Sequence, residues 1–406
     1  MRSRLHSIRY ETYSGREIEE MKTGNSKLAS ARNSQIPGKS DNNVQGKRGR
    51  RPQTLNLIGR KVLIDSGKLT YDELVSIVCN YFCKGYPAAQ IRSTIEEKYE
   101  VKLKREDPWR MLNWAGTKGW LRTVSPLDRE LSENLQNRYP WLKRADVVNT
   151  CVTEDVSNRM AHLLLELIRD FRQDHPDDNE VHVGFAGGSA LKKSAAILAT
   201  LLREEWQELP KKLVFHAMVA NFNLKDPTSD PNAFFTYLGA DAGIPIDTEF
   251  VSLLAPGFVK STMRGELLQI DEVDWAVRQA SEIDIFVTSA GGHWEEGHSA
   301  LYDMYRRKSD TSLKVLRERG CVGDLSWLPI SAAGPIEEET EFRATTLLEL
   351  GALIDQIHKG KKVLLMVGPC GECRRPKDDV LRAILEMRPH PITHLVAESR
   401  AVRAVL

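Results

Sequence analysis

The stretch that decides the fold is residues 181–193, Val-His-Val-Gly-Phe-Ala-Gly-Gly-Ser-Ala-Leu-Lys-Lys. An apolar strand runs into a Gly-Gly-Ser turn and then directly into a helix. Glycines let the backbone approach an anion, and the first turn of a helix supplies free N–H groups and a favourable dipole. The stretch therefore predicts a strand–loop–helix unit, whose loop is either a phosphate or sugar site or a plain structural turn.

The same alternation of strand and helix continues on both sides of this stretch. Apolar runs predict strands at residues 181–185, 213–219, 250–254, 283–288, 363–367 and 394–397. Amphipathic patterns predict helices between them, for example at residues 190–208 and 378–386. This alternation predicts an α/β fold with a doubly wound, mostly parallel sheet. Ligands of such sheets bind at the carboxyl ends of the strands.

Residues 70–124 follow a different pattern of short helices. Thr70 is a good N-cap for a first helix, Pro87 begins a second, and Asp107 with Pro108 begins a third that ends near Gly119. Residues 120–124 then predict a short strand. Three helices and a strand match a winged helix-turn-helix in size and order, and a small three-helix packing domain is the alternative.

The net charge of +1 conceals an asymmetry along the chain. Residues 1–55 carry 12 Lys and Arg against 5 Asp and Glu, and residues 56–125 carry 12 against 8, so the remaining residues sum to −10. A basic head on an acidic body is typical of a protein that binds a polyanion; a basic tail that only aids solubility is the alternative. Residues 1–55 lack an apolar period and predict a disordered basic arm.

Four polar side chains in or beside the third predicted helix are the candidate DNA contacts. Arg110 and Asn113 are residue types that bond base edges in the major groove, whereas lysine mostly meets phosphate. The predicted DNA-binding residues are Arg105, Arg110, Asn113 and Lys118.

Cysteine usage and the absence of long apolar runs indicate the compartment. No run approaches the 18 apolar residues of a membrane span, and the first 20 residues have no apolar core of a secretory signal. Six scattered cysteines are expected in a reducing compartment. We therefore expect a cytoplasmic protein with no membrane partner.

Two further loops carry residues suited to binding a sugar. Gly323 and Asp324 form a turn with a carboxylate that could accept two sugar hydroxyls, and Lys377 begins a helix from which it could reach a phosphate. In a doubly wound sheet these loops should converge with the first one. The predicted effector-binding residues are Gly187, Gly188, Ser189, Gly323, Asp324 and Lys377.

Two partial metal motifs are present, and neither is complete. Cys370 and Cys373 form a C-x-x-C pair, which suits redox chemistry or half a zinc site, but no second pair follows at zinc-finger spacing. His293 and His298 flank two glutamates without the H-E-x-x-H spacing that aligns two imidazoles on a helix. We therefore predict no metal site, no cofactor and no catalytic residue.

Taken together, these motifs resemble the SorC family of bacterial sugar-binding transcriptional regulators over roughly residues 70–406. The segments that carry the likeness are residues 110–121, where an Arg, paired aliphatics and an Ala precede a Gly; residues 131–148; the Gly-Gly-Ser loop at 187–189; Cys-Val-Gly-Asp at 321–324; and the helix after Lys377. The sequence departs from the family at Ala190 and Leu191, which replace donor residues of the glycine loop, and at Ala397 with Glu398.

The basic arm at residues 1–55 has no counterpart in the family. For the rest of the chain we expect a helix-turn-helix domain at 56–125 and an effector-binding domain at 126–406, as the resemblance implies. It implies an effector fold related to sugar-phosphate isomerases and deaminases, and a homotetramer or homodimer. The expected function is a regulator that binds duplex operator DNA and responds to a sugar or sugar phosphate. The alternatives are a sugar-phosphate isomerase or deaminase with an appended basic module, and a thiol-redox sensor.

Overall fold

A computed structural model describes residues 53–57, 60–64, 69–118, 120–121, 126–221, 223, 226–239, 243–292, 294–336 and 340–406. Contacts within the chain divide it into two units, Met1–Leu121 and Arg122–Leu406. Residues 1–52 of the predicted basic arm lie outside the described residues. The described chain begins in a strand at Gln53, two residues before the predicted end of that arm.

The first unit contains an antiparallel pair of strands followed by three helices. The elements are β1 (Gln53–Leu57), β2 (Arg60–Ile64), α1 (Tyr71–Cys83), α2 (Ala88–Tyr99) and α3 (Asp107–Thr117). Thr70 caps α1 through a reciprocal pair of bonds: its Oγ1 accepts the Glu73 N–H at 3.2 Å, and its own N–H donates to the Glu73 carboxylate at 2.7 Å. Of the strand predicted at 120–124, Trp120 and Leu121 are described and form a bend instead.

One apolar core holds the three helices together. Each helix contributes residues three or four positions apart, so that one face of each points inward. Full burial of such a side chain stabilises a fold by about 1.5–3 kcal/mol. The buried members are Tyr71, Leu74, Val75, Val78, Cys79, Ile91, Ile95, Val101, Met111 and Ala115.

The second unit is built on seven parallel strands in the order β6–β5–β4–β8–β13–β14–β3. The predicted α/β class and mostly parallel sheet are confirmed. Six of these strands are almost wholly buried because helices cover both faces of the sheet, whereas the edge strand β6 is largely accessible to solvent. Their bounds are β3 Arg144–Val148, β4 Glu180–Phe185, β5 Lys212–Ala217, β6 Asp247–Val251, β8 Ile285–Gly292, β13 Lys362–Val367 and β14 His394–Glu398.

An antiparallel extension grows from the end of β8. Residues 285–287 of β8 pair with β4, whereas Ala290, Gly291 and Gly292 pair with Leu325, Asp324 and Gly323 of β9. Hairpin turns then add β10 and β11, and β7 pairs separately with β12. The bounds are β7 Phe258–Lys260, β9 Cys321–Leu325, β10 Leu328–Ser331, β11 Gly334–Pro335 and β12 Phe342–Ala344.

The helices of the second unit connect these strands. The helix predicted at 190–208 ends at Glu204 and is followed by a 3₁₀ turn, Trp206–Glu208, and the strand predicted at 250–254 lies three residues earlier as β6. None of the described helices is long and apolar enough to cross a membrane. The helices are α4 Arg129–Arg138, α5 Thr153–Asp174, α6 Ser189–Glu204, α7 Pro231–Leu238, α8 Arg264–Leu267, α9 Asp271–Gln279, α10 Ala300–Lys308, α11 Asp310–Glu318, α12 Leu350–His358, α13 Asp378–Glu386 and α14 Ser399–Val405.

Candidate functional site

The glycine loop opens helix α6 at the carboxyl end of β4. Gly188 has φ +128°, a conformation that side chains rarely adopt, and its N–H donates to the Ser229 carbonyl at 2.9 Å. Ser189 is the first residue of α6, and no side chain among the described residues caps this helix. Its first-turn N–H groups therefore offer the arrangement that binds anions at helix N-termini.

Trp327 packs directly against this loop. A β-carbon at Gly187 would lie 2.7 Å from the Trp327 ring, so only glycine fits there. Ser326 and Trp327 form the two-residue turn between β9 and β10 with φ values of 52° and 63°. Such turns favour Asn-Gly, and larger residues adopt this conformation at a cost of about 1–3 kcal/mol each. Strained backbone of this kind is concentrated at functional sites.

Asp324 supports the strained turn from within the sheet. Its side chain is buried, and its Oδ1 accepts the Trp327 N–H at 3.1 Å. A β-carbon at Gly291 would lie 2.0 Å from the Asp324 carboxylate, so glycine makes room for it. Burial raises the pKa of Asp324 to about 6, although Lys377 and the N–H groups of Trp327 and Gly291 act in the opposite direction.

Lys377 is a half-buried cation whose charge acts on this carboxylate. It directly precedes α13, and its Nζ donates to the Ala290 carbonyl of β8 at 2.8 Å. Burial lowers the pKa of Lys377, while the negative charges of Asp324 and Glu398 raise it. The ammonium group is thereby bonded to the end of β8 and interacts electrostatically with the Asp324 carboxylate.

The structure brings the predicted effector residues together at the carboxyl ends of the central strands. Gly187 meets Trp327, Trp327 bonds to Asp324, and Lys377 interacts with Asp324 across β8. Gly323 lies inside β9 and not in the turn predicted for it. A β-carbon at Gly323 would lie 2.1 Å from the Gly291 carbonyl oxygen. Gly323 allows β8 and β9 to approach closely, and Asp324 and Lys377 are bonded to backbone groups.

A cavity of about 400 Å³ borders Trp327 on the second unit. Such a volume suits a small metabolite. Two guanidinium groups line it, those of Arg264 and Arg343, and both pair with Glu349. Burial lowers the pKa of Arg264, and Glu349 opposes that effect. Sequence reasoning missed these residues because they lie on three short elements, α8, β12 and the start of α12, that no local motif marks.

The predicted DNA contacts lie on the surface of the first unit. Arg105, Asn113 and Lys118 are exposed. The Arg110 side chain is about one-third exposed, and its Nη1 lies 4.0 Å from Oδ1 of Asp107, one turn earlier on α3. The four residues therefore lie on or beside one helix with their polar groups accessible to solvent.

Trp109 is a surface residue of α3 that the sequence did not mark. Its side chain is 57% exposed, and its ring lies 4.9 Å from that of Phe82. Trp109 and Asn113 are four positions apart and share one face of α3. Single exposed apolar side chains are common on protein surfaces, so Trp109 alone does not mark a recognition surface.

Comparison with known proteins supports the fold. No family model and no curated protein matches the sequence. Among solved structures, the full-length sorbitol operon regulator SorC from Klebsiella pneumoniae matches with a TM-score of 0.56 and 14% identity, over 83% of this chain and 99% of that one.

Two further solved structures share the fold over about two thirds of this chain. A DeoR family transcriptional regulator from Listeria monocytogenes has a TM-score of 0.51 at 16% identity, over 68% of this chain and 98% of that one. A domain of a "possible sugar-binding transcriptional regulator" from Arthrobacter aurescens TC1 has a TM-score of 0.50 at 14% identity, over 70% and 99%. These likenesses confirm the predicted SorC-type fold.

Proposed function

We propose that this protein is a transcriptional regulator that binds duplex DNA through its first unit and a small anionic sugar derivative through its second. One observation carries the proposal: an uncapped helix N-terminus follows the Gly187–Gly188 turn at the carboxyl end of β4, in a fold shared with the full-length SorC regulator. Helix N-termini and lysines bind anions, and regulators with this fold include proteins described as sugar-binding.

The site suggests a division of roles for the effector. The free N–H groups in the first turn of α6, from Ser189 onward, hold the anionic group, and Lys377 adds a positive charge. Trp327 offers the apolar ring face against which sugar rings pack, and the adjoining cavity holds the remainder of the ligand. Asp324 acts through the Trp327 turn, and Ala190 and Leu191 supply no side-chain donor.

The first unit supplies the DNA contacts in this proposal. Asn113 and Arg110 meet base edges, while Arg105 and Lys118 meet phosphate. The excess of Lys and Arg over residues 1–125 attracts the polyanion. Homo-oligomerisation and a cytoplasmic location belong to the same proposal, and light scattering of the full chain tests the former.

The deciding experiment has two arms on the full chain. Selection from random duplex DNA should recover a preferred sequence, and a panel of sugar phosphates and sugar acids should contain a compound that raises the melting temperature. The same compound should change affinity for the selected DNA. Arg343→Ala should weaken the thermal shift, whereas Arg278→Ala, on the exposed face of α9, is the matched control.

Two results would overturn the proposal. The first is duplex binding without any sequence preference. The second is turnover of a sugar phosphate that disappears in Asp324→Asn, because a carboxyl whose pKa lies near neutrality can serve as a general base. The second result would establish the isomerase or deaminase alternative instead.

A further inference from the structure

Three metal-binding side chains meet beside the effector loops. The ligand atoms of His298, Cys370 and Cys373 all lie within 4.8 Å of one another. His298 Nδ1 lies 3.5 Å from Cys370 Sγ. A tetrahedral zinc ion with Zn–N and Zn–S bonds of about 2.0 and 2.3 Å places its nitrogen and sulfur ligands about 3.5 Å apart. The observed separation therefore matches a common ion.

The loop that carries the two cysteines is folded back on itself. The Cys370 N–H donates to the Arg375 carbonyl at 3.0 Å, and the Arg374 N–H donates to the Cys370 carbonyl at 2.9 Å. Arg374 has φ +57°, which reverses the chain immediately after Cys373. Backbone bonds thus hold both thiols on one side of the loop before any ion binds, which reduces the entropy lost on binding.

Two neighbouring strands deliver the three ligands to one place. The cysteine loop follows β13, and His298 lies between β8 and α10, while β8 and β13 are adjacent and parallel. His293, the other histidine of that loop, lies outside the described residues. The two partial motifs that separately fail as metal sites in the sequence therefore combine in the fold.

The electrostatic surroundings favour the thiolate of Cys373. The Arg375 Nε–H donates to Cys373 Sγ at 3.1 Å, and its guanidinium also pairs with Glu295. Thiolates are the metal-binding form of cysteine, and such partners orient them.

We propose that His298, Cys370 and Cys373 form a binding site for Zn²⁺, with a fourth coordination position left for water or an exchangeable ligand. Binding releases the thiol protons and forms one Zn–N and two Zn–S bonds. The ion joins the loops after β8 and β13. Lys377 follows Cys373 by four residues and bonds to β8, so the ion stabilises the edge of the proposed effector site. The site does not depend on the proposed function.

The test uses the full chain, reduced with a phosphine and freed of metal by a chelator. Zn²⁺ is titrated in competition with a chromophoric chelator, and Co²⁺ replaces it for spectroscopy. We expect one equivalent of Zn²⁺, and a Co²⁺ spectrum with thiolate charge-transfer bands and strong tetrahedral ligand-field bands. Affinity should rise with pH as the thiols ionise.

Substitutions locate the ion. His298→Ala and Cys373→Ser should each weaken Zn²⁺ binding by at least about tenfold, because each removes one ligand. Cys151→Ser, which removes an exposed cysteine elsewhere in the second unit, should bind as the unsubstituted chain does. Melting curves of the metal-free variants serve as the control that each variant is folded.

Three results would overturn the site. One is a reduced chain that takes up no Zn²⁺. Another is unchanged affinity in both His298→Ala and Cys373→Ser. The third is a Cys370–Cys373 disulfide in the chain as isolated combined with no metal binding after reduction, which would make the pair a redox centre instead.

Discussion

The two units place their functional side chains in opposite environments. On α3 of the first unit and directly after it, Asn113 and Lys118 are exposed, whereas in the second unit Asp324 is buried, Lys377 is half-buried, and both are bonded to backbone groups. Exposed side chains can be replaced at little cost in stability, and buried charged ones cannot. The contrast teaches that the same change, the loss of a lysine, tests recognition in one unit and folding in the other.

The sharpest test of this contrast is Lys377→Met. Without the ammonium group, the pKa of Asp324 rises above about 6, further above its unfolded value. A carboxyl raised in this way contributes stability below its unfolded pKa and loses it as the pH rises through the folded one. We expect a loss of about 1–3 kcal/mol in the free energy of unfolding at pH 8, because the buried carboxylate loses a favourable nearby charge, and a smaller loss at pH 5.

Urea unfolding at the two pH values measures this difference. Lys377→Met combined with Asp324→Asn is the control, because it removes both charges and should recover much of the stability. An equal loss at pH 5 and pH 8 would contradict the electrostatic account of the pair.

On the first unit, replacing Arg110, Asn113 and Lys118 together by alanine should leave the melting temperature nearly unchanged and weaken binding to the selected DNA. Each base contact removed should cost about 1–3 kcal/mol of binding free energy. Loss of the phosphate contact should reduce the slope of log affinity against log salt concentration. The measurement is fluorescence anisotropy at several salt concentrations. The control is Lys98→Ala with Lys102→Ala, which removes two charges outside α3; equal weakening there would mean that charge alone decides binding.

A third test concerns a buried histidine of the parallel sheet. Burial lowers the pKa of His394 to about 4, and Lys362, Lys143 and Arg144 lower it as well. Because the folded pKa is depressed, His394 contributes stability above about pH 6.5 that is lost as the pH falls towards 4. His394→Asn should therefore remove roughly 2 kcal/mol of the stability difference between pH 7 and pH 5.

Chemical denaturation of both proteins at the two pH values gives this result directly. Parallel pH curves for the variant and the unsubstituted chain would show that His394 titrates normally. The exposed His175→Asn is the matched control, and its curve should follow that of the unsubstituted chain.

The smallest expected effect comes from the first 52 residues. They carry much of the positive charge of the chain, so their deletion should reduce the slope of log affinity against log salt concentration. The sequence preference should remain, since α3 is unchanged. A loss of preference on deletion, measured against the same selected DNA, would move base recognition from α3 to this segment.

Local patterns in the sequence predict much of the fold. The apolar runs of β4, β5, β8, β13 and β14 are recognisable because parallel strands are buried on both faces. The start of α1 is equally clear, since Thr70 and Glu73 form a local capping pair. The predicted boundaries of β6 are wrong by three residues because Asp247 and Glu249 are polar residues of an edge strand and interrupt the apolar pattern.

Local patterns do not predict which residues meet through long-range contacts. The sequence predicts a turn at Gly323 and Asp324 because glycine usually marks a turn. In the structure both residues lie inside β9, where the close approach of β8 leaves no room for a β-carbon at position 323. Trp327 and the cavity arginines carry no local signal. His298 and Cys370 are 72 positions apart, so only the pairing of β8 with β13 reveals that they meet.

Strand β8 has a consequence for the motions of the second unit. It pairs with β13 over residues 285–289 on one side, and with β4 and then β9 on the other. Its amide hydrogens cannot exchange with solvent unless several ladders break together, so they should be among the slowest to exchange in the chain. A ligand at the ends of these strands therefore contacts a rigid part of the sheet. Any conformational change on ligand binding must then occur in the surrounding loops.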